Sequence, residues 1–130
     1  MQMSSASPAV GPRDETPGDL QLPLIDHDVM EAWCSDMDRS DVLAILAHVP
    51  DESGRALAEV DKAIAAADHD RARRAAHRLK GMATNLGAAR LARLARLIEI
   101  ESRGIVDVIS HMPVLQQIAA DTLAALHSYR

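Results

Sequence analysis

AHRLKGMATNLG, which spans residues 76–87, is the stretch that decides the fold. Small and aliphatic residues recur in and around it at intervals of three and four, the spacing that places side chains on one face of an α-helix. They are Ala72, Ala75, Ala76, Leu79, Ala83 and Leu86. Asp68 is a favourable N-cap residue, and Gly87 suits the left-handed position that ends many helices. The pattern predicts an amphipathic helix over residues 69–86 with one buried face.

The face opposite this apolar stripe carries the polar residues of interest. At about 100° per residue, His77 falls roughly 150° from the centre of the stripe, so its imidazole is expected to face solvent. Lys80 and Gly81 follow at the positions that neighbour His77 on a helix surface, and Thr84 continues the same strip. Three arginines lie around this exposed face: Arg73, Arg74 and Arg78.

Gly81 is unusual here, because glycine inside a helix costs about 1 kcal/mol relative to alanine. Beside an exposed histidine, a missing side chain leaves room for a second molecule to approach the imidazole. Lys80 is one of two lysines in the chain. A flexible ammonium suits a transient phosphoryl group, because it acts as a point charge that can follow the group. The alternatives that stay open are a glycine required for packing and an ordinary solvated lysine.

The residues His77-x-Leu79-Lys80-Gly81, followed by Gly87, resemble the HxLKGxxxxxG signature of histidine-containing phosphotransfer (HPt) domains. The flanking residues 75–76 and 85–88, and the Ala/Leu/Arg-rich stretch 91–99 that ends in an acid, are similar to the family too. The likeness runs from about Asp26 to the C-terminus, and its central stretch is specific. It implies an all-α fold, an up-down antiparallel four-helix bundle with an extra short N-terminal helix.

The resemblance implies a phosphorelay intermediate that accepts a phosphoryl group on His77 from a receiver-domain phosphoaspartate and passes it to another receiver. The attacking atom implied by the family is Nε2. Lys80 would offset charge on the phosphoryl oxygens, and Gly81 would permit close approach. Arg73, Arg74, Arg78 and Thr84 are candidate contacts for the receiver. The chain itself needs no cofactor, since Mg²⁺ is expected on the partner receiver.

The chain also lacks a glycine-rich nucleotide-binding stretch, so no ATP-dependent kinase activity is expected. Such a domain occurs either free-standing or as part of a hybrid sensor kinase, where the receiver can belong to the same polypeptide.

Composition agrees with a single helical domain. The 130 residues include one Trp, one Tyr and no Phe, and no sustained period-two alternation indicates a strand. The net charge is −5, yet residues 71–96 carry eight basic residues and no acid, which could steer an acidic partner surface. The lone Cys34 excludes an internal disulfide and agrees with a cytoplasmic location. No apolar run approaches the length of a membrane span. No secretory signal is expected, because the N-terminal residues lack a basic segment followed by an apolar stretch.

Taken in order, residues 1–23 are predicted to be a flexible linker or tail and residues 24–130 the bundle domain. A short helix follows Asp26 to about residue 34. Ser40 is expected to cap a second helix running to about residue 67, with residues 42, 43, 45, 46, 49, 57, 60, 64 and 67 inward and either a kink or a new start at Pro50. The fourth helix is expected over residues 89–103, ended by Gly104. The last helix is expected to hold Pro113 in its first turn.

Three rival functions follow from the same residues. The first is an HPt-like module that docks a receiver without carrying phosphate. The second is a metal-binding helical protein, disfavoured because no histidine pair has ligand spacing and Cys34 has no partner cysteine. The third is nucleic-acid binding through the arginine-rich helices, disfavoured by the overall acidity. The other histidines are expected at the surface or its boundary: His27, His48, His69, His111 and His127.

Overall fold

The computed structural model describes residues 22–129, which form five α-helices and one short π-helical segment. The first helices are α1 (His27–Asp36), α2 (Arg39–Ala65) and α3 (His69–Asn85). They are followed by α4 (Ala89–Arg96), the π segment (Leu97–Glu101) and α5 (Ile105–His127). The described residues contain no strand. The all-α prediction is therefore confirmed.

The helices pack around α3. It contacts α2, α4, the π segment and α5, and α5 also packs against α2 and α4. α1 contacts α2. The connections between α2, α3 and α4, and between the π segment and α5, are three residues each. Connections this short join antiparallel neighbours in helical bundles.

Burial of the alanine-rich stripe fixes how α3 is rotated in the bundle. Ala72, Ala75, Ala76 and Ala83 are fully buried and Leu79 is 1% exposed. Small side chains on this face let the neighbouring helices approach closely. The Asp68 carboxylate accepts the backbone N–H of Arg71 at 3.0 Å, as predicted for an N-cap. With one face held in the core, the opposite face of α3 is turned to solvent.

The start of the described chain is tied to the turn that follows α3. Asp26 caps α1, accepting the N–H of Asp28 at 2.9 Å. Its own N–H donates to the Gly87 carbonyl at 2.7 Å. Gly87 has φ +71°, so the predicted left-handed position is confirmed. An ideal Cβ at this glycine would lie 2.8 Å from Cβ of Val29, which leaves no room for a side chain.

We expect Gly87→Ala to lower the free energy of unfolding by roughly 1–3 kcal/mol, because alanine adds both left-handed strain and a clash with Val29. Urea denaturation followed by circular dichroism measures this. Gly104→Ala is the matched control, since Gly104 has an extended backbone and open space around its Cβ position. Equal stabilities of the two variants would contradict this account of Gly87.

The second helix departs from its prediction at several places. It begins at Arg39 after Asp38 rather than after Ser40, and it ends at Ala65. Ala67, expected in the core, is exposed and has φ 54°. Ile45, also expected inward, is 39% exposed. The buried positions recur at three and four residues, so the five apolar residues predicted inward between 42 and 49 cannot all share one face.

Pro50 lies inside α2, and the helix continues through it. A proline in a helix interior removes one hydrogen bond and costs about 3 kcal/mol or more. Buried residues lie on both sides of it, at Leu46 and Val49 and at Ser53 and Ala56. Their packing against the rest of the bundle offsets the loss. The prediction left this point open, and the structure resolves it in favour of one helix.

Helix boundaries in the second half of the chain also differ from their predictions. The helix predicted over residues 89–103 is α-helical only to Arg96 and becomes the π segment to Glu101. Gly104 is the N-cap of α5, which already begins at Ile105. Pro113 therefore lies in the interior of α5 and not in its first turn, so that prediction was wrong. Because proline has no N–H, the carbonyl of Ile109 loses its donor within the helix. Both Pro113 and Ile109 are exposed, so water can satisfy that carbonyl.

Almost all of the predicted tail, residues 1–23, lies outside the described residues, and the predicted boundary of the bundle domain stays a prediction. Among the helices of residues 22–129, none combines the length and the apolar character needed to cross a membrane.

Candidate functional site

The exposed face of α3 meets the π segment at one carboxylate. Nδ1 of His77 lies 2.6 Å from Oε2 of Glu99. The His77 side chain is 66% exposed, whereas that of Glu99 is 18% exposed. The histidine therefore lies at the surface, as its position on α3 predicts. One edge of its ring contacts the protein.

This contact determines which ring nitrogen carries the proton in the neutral imidazole. A carboxylate can only accept hydrogen bonds, so Nδ1 must be the donor. A neutral imidazole has one protonated nitrogen, which leaves the lone pair on Nε2. Nε2 is thus the nitrogen available to react with a molecule approaching from solvent.

Lys80 contacts the other oxygen of the same carboxylate. Its Nζ lies 2.6 Å from Oε1 of Glu99. Burial alone would raise the pKa of Glu99, but the contacts with Lys80 and His77 outweigh it and hold that pKa below the ordinary value of 4.5. Glu99 is consequently ionised at neutral pH. Its ionisation favours the folded state above about pH 4.5, and this contribution is lost as the pH falls through the lowered pKa.

Backbone as well as side chain holds Glu99 in place. Nε of Arg73 donates to the carbonyl oxygen of Glu99 at 2.8 Å. Ile98, the preceding residue, is fully buried and anchors the π segment in the core. π-Helical turns occur frequently at functional sites, because the added residue redirects side chains. Here the turn carries the acid that contacts the exposed histidine.

The predicted neighbours of His77 line two shallow depressions on the surface. One is lined by His77 together with Asp70, Arg73, Arg74, Arg78 and Glu99. The other lies on the Lys80 side and is lined by Thr84, Gly87, Arg93, Arg96 and others. The structure therefore brings Arg73, Arg74 and Arg78 around the histidine, whereas Thr84 belongs to the neighbouring depression with Lys80.

Gly81 is exposed, and an ideal Cβ built on it has no atom within 4 Å. Packing among residues 22–129 therefore does not require glycine there. The packing interpretation that the sequence left open has no support in the structure. The open surface at Gly81 lies one helical turn from His77.

In the folded protein, acidic residues from outside residues 71–96 pair with basic residues of that stretch. Glu99 reaches His77 and Lys80, and Glu101 lies 3.3 Å from Arg96 and 3.6 Å from Arg93. At the start of α3, Arg71 is paired with Glu59 from α2. The basic surface around the histidine is narrower than the sequence suggests, because acids from outside residues 71–96 are packed against it.

Glu99 is the residue of the candidate site that sequence reasoning missed. The sequence marks it only as the acid that ends a family-like stretch, and predicts no role for it. A signal was present, since Glu99 lies four residues after the buried Ala95 and next to the buried Ile98. A carboxylate that is largely removed from water is stabilised by a charged or hydrogen-bonding partner, and the exposed face of α3 offers two.

The described residues hold no group of three or more histidine, cysteine or acidic side chains that could bind a metal ion. What they do form is a helical bundle that presents His77 to solvent, with the largely buried carboxylate of Glu99 on Nδ1 and a lysine on that carboxylate. This combination of fold and site defines a class of histidine-bearing helical domains.

The family comparison agrees with this description. The model of the Hpt domain matches residues 44–126, which is more than half of the chain, and the protein belongs to the Hpt domain family. Hpt domains carry phosphoryl groups between receiver domains in phosphorelays and are carriers rather than kinases. Neither the curated proteins nor the solved structures that were searched gave a match.

Proposed function

We propose that this protein is a phosphorelay intermediate in which Nε2 of His77 accepts a phosphoryl group from the phosphoaspartate of a receiver domain. The observation that carries the proposal is the 2.6 Å contact between Nδ1 of His77 and Glu99 on an otherwise exposed ring. It leaves Nε2 unprotonated on an exposed ring, the state in which an imidazole is a nucleophile.

Transfer exchanges a phosphorus–oxygen bond on the receiver for a phosphorus–nitrogen bond on His77. The Nε2 lone pair forms a bond to phosphorus, the bond between phosphorus and the aspartyl oxygen breaks, and the aspartate leaves as a carboxylate. The phosphorylated ring keeps its Nδ1 proton and is cationic, so the adjacent Glu99 carboxylate stabilises it. The reverse step delivers the group to a second receiver.

The receiver supplies what this surface lacks. Phosphoryl transfer depends mainly on in-line positioning and on electrostatic stabilisation. We place the Mg²⁺ ion on the receiver and none on this chain. Lys80 is held within reach of the histidine by Glu99 and would offset charge on the phosphoryl oxygens. Arg74 and Arg78, both exposed beside His77, are the proposed contacts for the receiver, with Arg73 and Thr84 at the flanks. The setting proposed is the cytoplasm.

The experiment that tests this proposal uses receiver domains labelled with ³²P on their aspartate. We expect label to move to this protein and to be stable to base and labile to acid, as phosphohistidine is. ATP alone should give no label, because the chain is proposed to be a carrier without kinase activity. Binding of receivers without any transfer of label would favour the alternative, a docking module that carries no phosphate.

Gly81 provides a separate prediction about the approach of the receiver. We expect Gly81→Gln to slow transfer at least about 10-fold, because a side chain on the open surface displaces the receiver from the in-line position. Rapid-quench kinetics with a labelled receiver measures this rate. The fold should be kept, since glutamine is a better helix former than glycine and has open space at this position.

Gly54→Gln is the matched control, because Gly54 is also an exposed glycine inside a helix with no atom near its Cβ position. It should transfer at the rate of the unmodified protein. Equal rates for both variants would remove the proposed role of Gly81.

A further inference from the structure

Beyond the histidine and its carboxylate, α3 meets the π segment along a row of polar side chains. The row recurs at intervals of four, four and three residues, so it follows one face of the helix. It consists of His69, Arg73, His77 and Lys80. The last three reach Glu99, whereas the first reaches Ser102, three residues further along. Neither His69 nor Ser102 takes part in the phosphoryl transfer proposed above.

The contact at the start of the row is a chain of two hydrogen bonds. Nε2 of His69 lies 2.8 Å from Oγ of Ser102, and both side chains are partly buried. Oγ of Ser102 in turn donates to the carbonyl oxygen of Ile98. Because the hydroxyl proton is directed to Ile98, the oxygen of Ser102 accepts from Nε2–H of His69. One α3 side chain is thereby joined to the residue that precedes Glu99.

The geometry of a helix end explains what these two hydrogen bonds do. The last four carbonyl groups of a helical run have no partner further along the helix. The run ends at Glu101, so the carbonyls of Ile98 and Glu99 are two of the four. The first is satisfied by Ser102 and the second by Arg73. Side chains thus fix the backbone on both sides of the Glu99 Cα at the point where the helix ends.

We propose that His69 and Ser102 are positioning residues, which hold the end of the π segment so that the Glu99 carboxylate stays against Nδ1 of His77. Neither residue touches the reacting atoms. Their effect on transfer rests on the function proposed above, but their effect on His77 does not require a receiver. A helix end freed from Ser102 frays, and the Glu99 side chain moves with it.

The test measures the tautomer of His77 directly, by NMR of the ring nitrogens in protein labelled with ¹⁵N-histidine. In the unmodified protein at a pH where His77 is neutral, the proton is expected on Nδ1. In Ser102→Ala we expect a mixture of the two tautomers at His77 and a roughly 3- to 10-fold slower uptake of phosphate from a labelled receiver. His69→Ala should give the same two changes. The double variant should add little, because the two residues act as one unit.

Two further variants separate positioning from general stability. Ser102→Thr keeps the hydroxyl and should restore both the tautomer and the rate. Ser128→Ala is the matched control, because Ser128 makes the same kind of bond, from Oγ to the carbonyl of Ala125 at 2.7 Å, at the far end of α5. It should change neither quantity.

The outcomes distinguish this inference from the proposed function. An unchanged His77 tautomer in both Ser102→Ala and His69→Ala overturns the positioning role, even if the unmodified protein carries phosphate. A changed tautomer supports it, even if no receiver transfers phosphate, in which case the proposed function is what fails. Failure of Ser102→Thr to restore the tautomer also overturns the inference.

Discussion

His77→Gln is expected to reduce phosphoryl uptake from a labelled receiver to background. Glutamine has no nitrogen nucleophile, and no other histidine in the described residues combines an exposed ring with a carboxylate on Nδ1 and a lysine beside it. The free energy of unfolding should change by no more than about 0.5 kcal/mol, because the side chain is largely exposed. Label transfer and urea denaturation measure the two quantities.

The matched control is His127→Gln, which replaces an exposed histidine in the last turn of α5. It should take up phosphate as the unmodified protein does. Substantial uptake by His77→Gln would show that the carrier lies elsewhere, and a large loss of helical signal would contradict the exposed placement of the ring.

The second large effect is expected at Glu99. Glu99→Ala removes the acceptor for Nδ1–H of His77, the partner of Lys80 and the charge opposite the phosphorylated ring. We expect transfer to slow by roughly 10- to 100-fold, the range seen where a carboxylate that orients a metal-binding imidazole is removed. Rapid-quench measurement of transfer from a labelled receiver gives the rate.

Two variants sharpen this prediction. Glu99→Gln keeps an oxygen that can accept from Nδ1–H, so it should lose less activity than Glu99→Ala. Glu101→Ala removes a nearby acid that pairs with Arg93 and Arg96 and does not contact His77, and it should leave the rate near that of the unmodified protein. If Glu99→Ala transferred as fast as Glu101→Ala, the proposed role of the carboxylate would be wrong.

How far the sequence predicts this molecule is best seen in α3. Its buried stripe, its cap at Asp68 and the left-handed Gly87 are all determined by residues within the helix or at its ends. Local rules of spacing and capping therefore suffice, and they place His77 on the exposed face. The same rules identify Lys80 and Gly81 as its neighbours.

In α2 and α5, where each helix begins and ends depends on packing between helices. Pro50 and Pro113 were expected to interrupt or begin helices, yet burial on both sides keeps α2 and α5 continuous. The contribution of that burial cannot be obtained from propensity, which considers each residue in isolation.

Glu99 shows the same limit at the functional site. It lies 22 residues from its partner His77. Their contact requires the pairing of α3 with α4, the change to π geometry after Arg96 and the bond from Arg73 to the Glu99 carbonyl. Sequence spacing fixes none of these three, so the contact between Glu99 and His77 that selects Nε2 could be found only in the fold.

The central claim is that Nε2 of His77 carries the phosphoryl group, and NMR of the phosphorylated, ¹⁵N-histidine-labelled protein tests it most directly. We expect phosphorus–nitrogen coupling at Nε2 of His77, with Nδ1 of the same ring still protonated. Coupling at Nδ1, coupling at any of the other five histidines, or phosphate held on an acidic residue would contradict the account.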